Sequence, residues 1–292
     1  MRRSRNFYPW VSLFPALLVI LLFTIYPVLH NLDLALHKNI LTQPDRHPFV
    51  GSKNFVEVIQ SPYFLSCMGR TLLFTAVCVA GVAVLSIAIA LLLNERFAGA
   101  SILQVLILIP WAIPVVMAGI IWRWIFAGNV GVLNGILYSL GLIDNYISFF
   151  GSPVSAFSAL VIARLWKDLP LAVILLLASL QVIPRELYDA AKVDGAGPWK
   201  CFLSITLPYL RSTLTVILIL ETLIGLITFD LIYVMTGGGP ADSTTLVAWY
   251  AYTEIFTNLN LGRGAALAFV VALITLIVSV FYFRALRSEK IY

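Results

Sequence analysis

The sequence predicts an all-α integral membrane protein with six transmembrane helices, and three observations carry this prediction. Of the 292 residues, 61% are hydrophobic and 11% are charged, and the mean hydropathy is +0.96. In soluble globular proteins about a quarter of the residues are charged, so this composition excludes a soluble fold. The other two observations are long apolar stretches and an uneven distribution of cations between alternate loops.

Four stretches lack Asp, Glu, Lys and Arg and are long enough to cross about 30 Å of hydrocarbon as helices. They are residues 9–29, 71–93, 101–121 and 265–283. Two further stretches are also long and apolar but contain Arg164, Lys167 and Asp168 in one and Glu221 and Asp230 in the other. The predicted spans are about 9–30, 70–93, 101–126, 155–182, 210–236 and 263–285, within a single transmembrane domain of residues 1–292.

The cations predict the orientation, because lysine and arginine concentrate in cytoplasmic loops. One set of loops and tails contains Arg2, Arg3, Arg5, Arg96, Arg185, Lys192, Lys200, Arg211, Arg284, Arg287 and Lys290. The opposite set contains Lys38, Arg46 and Lys53. Both termini are therefore predicted to be cytoplasmic, and the net charge of +5 requires no nucleic-acid partner.

The chain lacks the residue patterns of an enzyme or a metal protein. Its three cysteines, Cys67, Cys78 and Cys201, fall in different predicted environments, so neither a disulfide nor a metal site is expected. The sequence has no nucleophile elbow, no paired catalytic carboxylates and no G-x-x-x-x-G-K-[ST] phosphate loop. We expect no catalytic residue, no metal and no cofactor in this chain.

The polar loop 184–208, between the fourth and fifth spans, is the most informative segment. Pro184 suits the first turn of a helix, and Glu186 and Asp189 place negative charge near the positive end of its dipole. The helix should end at Asp194 and Gly195, since glycine adopts the left-handed cap conformation cheaply. Leu187, Ala190 and Ala191 line one face of this helix.

A second short helix is expected from Pro198 through Trp199 and Phe202, and Pro208 is expected to bound the return into the membrane. Two helices around a glycine turn form a compact knob that suits the groove of a partner. On patterning alone, an ordinary amphipathic loop at the membrane interface is the alternative.

The loop resembles the signature loop of ATP-binding-cassette (ABC) importer permeases, which couples the membrane subunit to its ATPase. The family pattern is met by Asp189-Ala190-Ala191, by Gly195, and by the run ITLP that ends at Pro208, with Asp189 in place of the family's Glu. The resemblance implies an ATPase-coupling role for Glu186, Asp189, Ala190, Ala191, Asp194, Gly195 and Phe202.

Further segments resemble the carbohydrate permeases of the maltose and glycerol-phosphate group along nearly the whole chain. They are IPWA at 109–112 with Pro114, WKDLP at 166–170, Phe229-Asp230, TGGGP at 236–240 and LGRGAA at 261–266. The resemblance implies a type I ABC importer permease fold in the prokaryotic inner membrane. It also implies an external solute-binding protein, a second permease chain that forms a heterodimer with this one, and two ATPase subunits that bind ATP and magnesium.

Charged residues inside a span cost roughly 2.5–3.5 kcal/mol each on insertion scales, so they normally face a bundle interior or a wet cavity. By resemblance to the maltose-type permeases, the substrate pathway comprises Trp111, Val115, Arg164, Lys167, Asp168, Leu171, Glu221, Gly225 and Thr228. A static salt-bridge cluster is the alternative for the charged members, and Arg164 and Asp168 have the spacing to pair.

The residues outside this pathway set have other expected roles. Asp230 is expected to make an interhelical hydrogen bond, and Arg123, between Trp122 and Trp124, to anchor a span at the interface. The resemblance implies import of a sugar or oligosaccharide that the external binding protein delivers, and we expect it to proceed by alternating access. Import of glycerol 3-phosphate or another charged polyol, or secondary transport, are the alternatives.

Overall fold

The computed structural model describes residues 7–43, 47–95 and 97–287, and helices make up the regular structure of these ranges. Six of the cations that predict the orientation, Arg2, Arg3, Arg5, Arg46, Arg96 and Lys290, lie outside the described residues. The helices are α1 (Phe7–Ile20), α2 (Tyr26–Leu36), α3 (Lys53–Gln60), α4 (Pro62–Asn94), α5 (Ala100–Leu106), α6 (Ile109–Ala112), α7 (Val115–Ile125), α8 (Val132–Ser139), α9 (Pro153–Gln181), α10 (Arg185–Val193), α11 (Pro198–Cys201), α12 (Leu207–Leu226), α13 (Asp230–Met235), α14 (Val247–Phe256) and α15 (Leu261–Arg287).

Four helices in the described ranges are long and apolar enough to cross a membrane, and a bent pair of helices could form a fifth span. The four are Ser12–Leu36, Pro62–Asn94, Pro198–Leu226 and Leu261–Arg284, and the bent pair is Ala100–Ala112 with Val115–Ile125. The remaining predicted span coincides with α9, which has 29 residues but carries three charges. Each predicted span overlaps at least one of these helices, while the count of six and the location of the termini stay predictions.

The predicted third span, 101–126, is not one straight helix. Its two halves meet at 100° between α6 and α7. Ile113 adopts ψ 133° and Pro114 adopts ψ 141°, both extended. A residue before proline is biased away from the helical region, and proline has no N–H to continue the ladder, so the chain turns at this dipeptide.

The fifth span also differs from the prediction, at both of its ends. α11 and α12 are one continuous helix from Pro198 to Leu226, joined by a π-helical turn at Phe202–Thr206. Pro208 therefore does not separate loop from span; the π turn directly before it accommodates a ring that would clash with a carbonyl in a regular α-helix. At the far end the helix stops at Leu226, and Asp230 starts α13 as an exposed residue.

The chain divides into two compact units. One comprises Met1–Leu65 with Tyr250–Ile274. In this unit two isolated β-bridges join His37 to Phe49 and Ile40 to Asn260. The buried amide of Asn54 donates to the backbone carbonyls of Ala35 (2.7 Å) and His37 (3.0 Å), so a single side chain holds the end of α2 against α3.

The other unit comprises Ser66–Trp249 with Thr275–Tyr292. Its core has two clusters of buried side chains, one around Phe74, Leu160 and Leu231 and the other around Leu176 and Leu210. α9 contributes to both clusters and packs against α6, α7, α12 and α13. α9 is therefore the central helix of this unit.

Replacing Asn54 by alanine should destabilise the unit that contains it. The change leaves the buried Ala35 carbonyl and the partly buried His37 carbonyl without this donor, which costs about 2 kcal/mol. The thermal unfolding temperature of the purified protein in detergent should therefore fall. Asn258, which is exposed, supplies the matched control N258A. Equal unfolding temperatures for N54A and N258A would contradict the structural role of Asn54.

Candidate functional site

The knob in loop 184–208 begins with α10, and its geometry follows from its ends. Glu186 lies in the first turn and Lys192 in the last, as the helix dipole favours. After the helix, Gly195 has φ +75° and its N–H donates to the Lys192 carbonyl at 3.0 Å. Ala196 N–H donates to the Ala191 carbonyl at 2.8 Å. The predicted glycine cap is confirmed.

The residues predicted for ATPase coupling form an accessible surface. Glu186, Asp189, Ala190, Asp194 and Gly195 are exposed, and Ala191 and Phe202 are half-buried. Two apolar side chains outside the predicted set are more prominent: Val193 is 88% exposed and Trp199 is 71% exposed. An exposed Trp and Val at the tip of a polar loop indicate a contact surface, and only the structure reveals their exposure.

Tyr188 fixes α10 to the rest of the unit. Its Oη lies 2.9 Å from the Thr206 Oγ1 on the continuous Pro198–Leu226 helix, and its ring packs against the second core cluster. The inward-facing side of α10 is therefore formed by Tyr188 and Ala191, whereas Leu187 stays exposed. The sequence pattern did not single out Tyr188, because a lone tyrosine in a polar loop carries no spacing signal.

A cavity of about 640 Å³ lies beside α10. Its lining includes the ends of α4 and α9. The polar side chains that line it are neutral, acidic and basic: Asn94, Gln181, Glu95, Asp189, Arg185 and Lys192. The hydrogen-bonded Tyr188 and Thr206 also line it. The cavity leaves part of α10 unpacked, while Tyr188 joins the helix to the core.

The in-span charges form a buried cluster between α9 and α12. The Arg164 guanidinium pairs with Asp168 on its own helix, and its Nη2 lies 3.8 Å from Glu221 Oε2. The three side chains are 5%, 14% and 7% exposed. The Arg164 guanidinium therefore has an opposite charge beside it on each of the two helices, as a buried cation requires. The predicted pairing of Arg164 with Asp168 is confirmed.

Lys167 has a different partner from its neighbours. Its Nζ donates to the backbone carbonyl of Trp111 at 2.7 Å. In an unbroken helix that carbonyl would accept from the N–H of Val115, but the bend at Pro114 removes this donor. Lys167 therefore caps the end of α6 at the break in the third predicted span.

The other predicted pathway residues do not share one environment. Trp111 is exposed, and Val115 and Leu171 are half-buried. Gly225 is a close-packing position, since a Cβ there would lie 2.8 Å from the side chain of Thr75 on α4. Thr228 is buried and its hydroxyl donates to the Ile224 carbonyl at 2.8 Å, beyond the end of α12.

Thr75 is a polar residue that sequence reasoning missed. Its hydroxyl is buried and has no hydrogen-bond partner within the part of the chain that the structure describes. It contacts Gly225, one turn from Glu221. A single threonine in an apolar helix gives no sequence signal, because threonine hydroxyls usually bond to their own backbone.

Replacing Arg164 by methionine should destabilise the α9–α12 packing strongly. The change leaves two buried carboxylates without a cation, which costs about 3 kcal/mol or more, and thermal unfolding in detergent measures it. The matched control is R123M, because Arg123 is exposed and donates to the Val234 carbonyl (3.1 Å). If R164M unfolded at the same temperature as R123M, the cluster would not be structural.

Replacing Lys167 by methionine should remove the cap on α6, whereas arginine, which can still donate, should retain most of it. A hydrogen bond to a charged group contributes about 1.5–3 kcal/mol, so K167M should unfold at a lower temperature than K167R. Unchanged unfolding of K167M would show that the Trp111 carbonyl needs no side-chain donor.

Curated relatives match the chain along almost its whole length. The trehalose/maltose transport system permease protein MalF of Thermococcus litoralis is 38% identical over 96% of this chain and 94% of its own length. The sulfoquinovosyl glycerol transport system permease protein SmoG of Agrobacterium fabrum is 38% identical over 94% of this chain and 89% of its own.

A solved structure shows the same fold. A chain of the bacterial ABC transporter involved in the import of the acidic polysaccharide alginate aligns with a TM-score of 0.83, at 23% identity, over 98% of this chain and 97% of that one. The family model described as binding-protein-dependent transport system inner membrane component matches residues 64–289. This chain therefore belongs to the family of inner-membrane permease components of binding-protein-dependent ABC importers, in which it resembles the carbohydrate permeases of the maltose and glycerol-phosphate group.

Proposed function

We propose that this chain is a permease subunit of an ATP-driven importer that translocates a sugar or oligosaccharide delivered by an external binding protein. The observation that carries the proposal is the exposed α10 knob, capped at Gly195 and tied to the core through Tyr188 and Thr206. Sugar as the substrate class is supported by the names of relatives, among them a trehalose/maltose and a sulfoquinovosyl glycerol permease.

The proposed assembly has four kinds of subunit. This chain pairs with a second, related permease; two ATPase subunits bind ATP and magnesium; and a binding protein delivers the solute. In the proposed topology six helices span the membrane, both termini are cytoplasmic, and the α10 knob faces the ATPases. Support for a binding-protein partner comes from the family description.

Motion of the ATPases would reach the membrane interior along one helix. Trp199 lies in the first turn of the Pro198–Leu226 helix and Glu221 lies in its last part, which places them about 33 Å apart at 1.5 Å per residue. A pull on the knob would therefore be transmitted through a rigid element to the Arg164–Asp168–Glu221 cluster. Alternating access follows if this helix rocks against its counterpart in the second permease.

The proposed substrate pathway runs past the exposed ring of Trp111 and the charged cluster. A sugar offers an apolar face for stacking and hydroxyls for hydrogen bonds to charged groups. Trp111 supplies a ring for stacking against the apolar face of the sugar. Asp168 or Glu221 accepts hydrogen bonds from the sugar hydroxyls when its pairing with Arg164 is replaced by solute. Lys167 holds the half-helix that carries Trp111.

An acidic sugar or charged polyol is the second candidate substrate, and the name of the sulfoquinovosyl glycerol relative favours it. The charges of the cluster argue against an anionic substrate, because two carboxylates share one guanidinium and a further negative charge would be repelled. Secondary transport, the other alternative from the sequence, has no support in a family of binding-protein-dependent systems.

Affinity purification from the native membrane tests the proposed assembly. We expect a second permease and an ATPase to co-purify, and ATP hydrolysis to rise when a binding protein loaded with its sugar is added. Trehalose, maltose and an acidic sugar should be compared as loads. Recovery of this chain alone, transporting without ATP, would overturn the proposal.

Replacing Gly195 by valine should uncouple transport from ATP hydrolysis. A β-branched residue at φ +75° costs about 1–3 kcal/mol of strain, so the end of α10 should deform and sugar uptake into proteoliposomes should fall about tenfold or more. Gly197 provides the matched control, because it is also exposed with open space for a Cβ but has φ −74°. Equal uptake by G195V and G197V would contradict the docking role.

A further inference from the structure

The segment between α7 and α9 contains a short helix, α8, that the proposed transport mechanism does not use. Residues 127–143 contain no Asp, Glu, Lys or Arg. Gly131 allows the chain to turn tightly into α8, since a Cβ there would lie 2.2 Å from the Ala127 carbonyl oxygen. Residues 127–143 are therefore an uncharged and closely folded part of this segment.

Asn134 fixes the orientation of α8. It is fully buried, and its Nδ2 donates to the carbonyls of Ala127 (3.3 Å), Gly128 (3.4 Å) and Ile147 (2.9 Å). Its Oδ1 accepts from the Ile147 N–H at 3.0 Å. Asn134 thus makes hydrogen bonds both before α8, to Ala127 and Gly128, and after it, to Ile147. These bonds hold the Asn134 face of α8 against the protein, so the opposite face points outward.

The outward face is an apolar stripe. Val132, Ile136 and Leu140 follow one another at i, i+4 and i+8 and are 61%, 50% and 66% exposed. Leu142 is equally exposed, and Tyr138 lies at the edge of the stripe. Full burial of an aliphatic side chain contributes about 1.5–3 kcal/mol, so a neutral stripe of this size favours an apolar environment over water.

Lipid is the environment that the position of α8 indicates. α7 ends at Ile125, seven residues before α8 begins, and its own exposed residues Val116, Ile120 and Trp124 also repeat at i, i+4 and i+8. Tryptophan and tyrosine near the ends of spans typically lie at the level of lipid head groups. α7 itself is half of a bent pair of helices that is apolar enough to form a membrane span.

We propose that α8 lies in the membrane interface, with the stripe of Val132, Ile136 and Leu140 inserted among lipid acyl chains and the face of Asn134 packed against the protein. The proposal rests on the proposed function in one respect, that α7 and α9 cross the membrane. Because Asn134 joins α8 to Ile147, a lipid-anchored α8 holds the connection between these two helices at a fixed depth.

Spin-label accessibility in the assembled transporter, reconstituted in lipid nanodiscs, tests the proposal. Single labels are placed by L140C and by the control N145C, in a background where Cys67, Cys78 and Cys201 are replaced by serine. Asn145 is exposed and lies in the polar part of the same segment. We expect the label at 140 to collide with oxygen but not with a water-soluble nickel chelate, and the label at 145 to collide with the nickel chelate.

Two results would overturn the proposal. Collision of the label at 140 with nickel would place the stripe in water, and shielding from both reagents would place it against another protein chain. A third label at M117C, on the exposed side of α7, tests the topology separately. Nickel access at 117 would refute the membrane crossing itself, whereas a shielded 117 with a nickel-accessible 140 would refute only the interfacial position of α8.

Discussion

The neutralisation of buried charge on α9 is the interaction on which the larger unit depends. A guanidinium or carboxylate in a low-dielectric interior is tolerated only with an opposite charge beside it. Arg164 meets this requirement through Asp168 on its own helix and Glu221 on α12, and so fixes the register of α12 against α9. α9 also contributes to both core clusters, so the charged pairing lies on the helix that the two clusters share.

The same lack of water explains how the helices end. In lipid, every backbone carbonyl that a break leaves free needs another donor. The break after α6 is satisfied by Lys167 at the Trp111 carbonyl. At the end of α12 the Ile224 carbonyl accepts from the Ile227 N–H and also from the Thr228 hydroxyl. A π turn rather than a break accommodates Pro208. Interruptions of the helices are thus placed where a polar side chain can compensate them.

This distribution of breaks distinguishes the continuous Pro198–Leu226 helix from the bent third predicted span. The Pro198–Leu226 helix connects the surface of the knob with the charged cluster, and Tyr188 attaches α10 to it at Thr206. The third predicted span is instead divided at Pro114 and carries the exposed Trp111 beside the bend. This difference between a continuous and a divided helix underlies the proposed mechanism. In it the continuous helix transmits motion and the divided one contacts the solute.

Composition and short-range spacing predict the membrane class, the presence of long apolar helices, the glycine cap of the knob and the pairing of Arg164 with Asp168. These features depend on composition and on contacts within a few residues, which spacing records directly. Tertiary structure decided the bend at Pro114, the continuity through Pro208, the cap that Lys167 supplies and the exposure of Val193 and Trp199. The cap and the exposure depend on which distant groups lie within reach, and local spacing does not record this. The two prolines differ in whether the chain bends or forms a π turn, and the residue type alone does not decide between these outcomes.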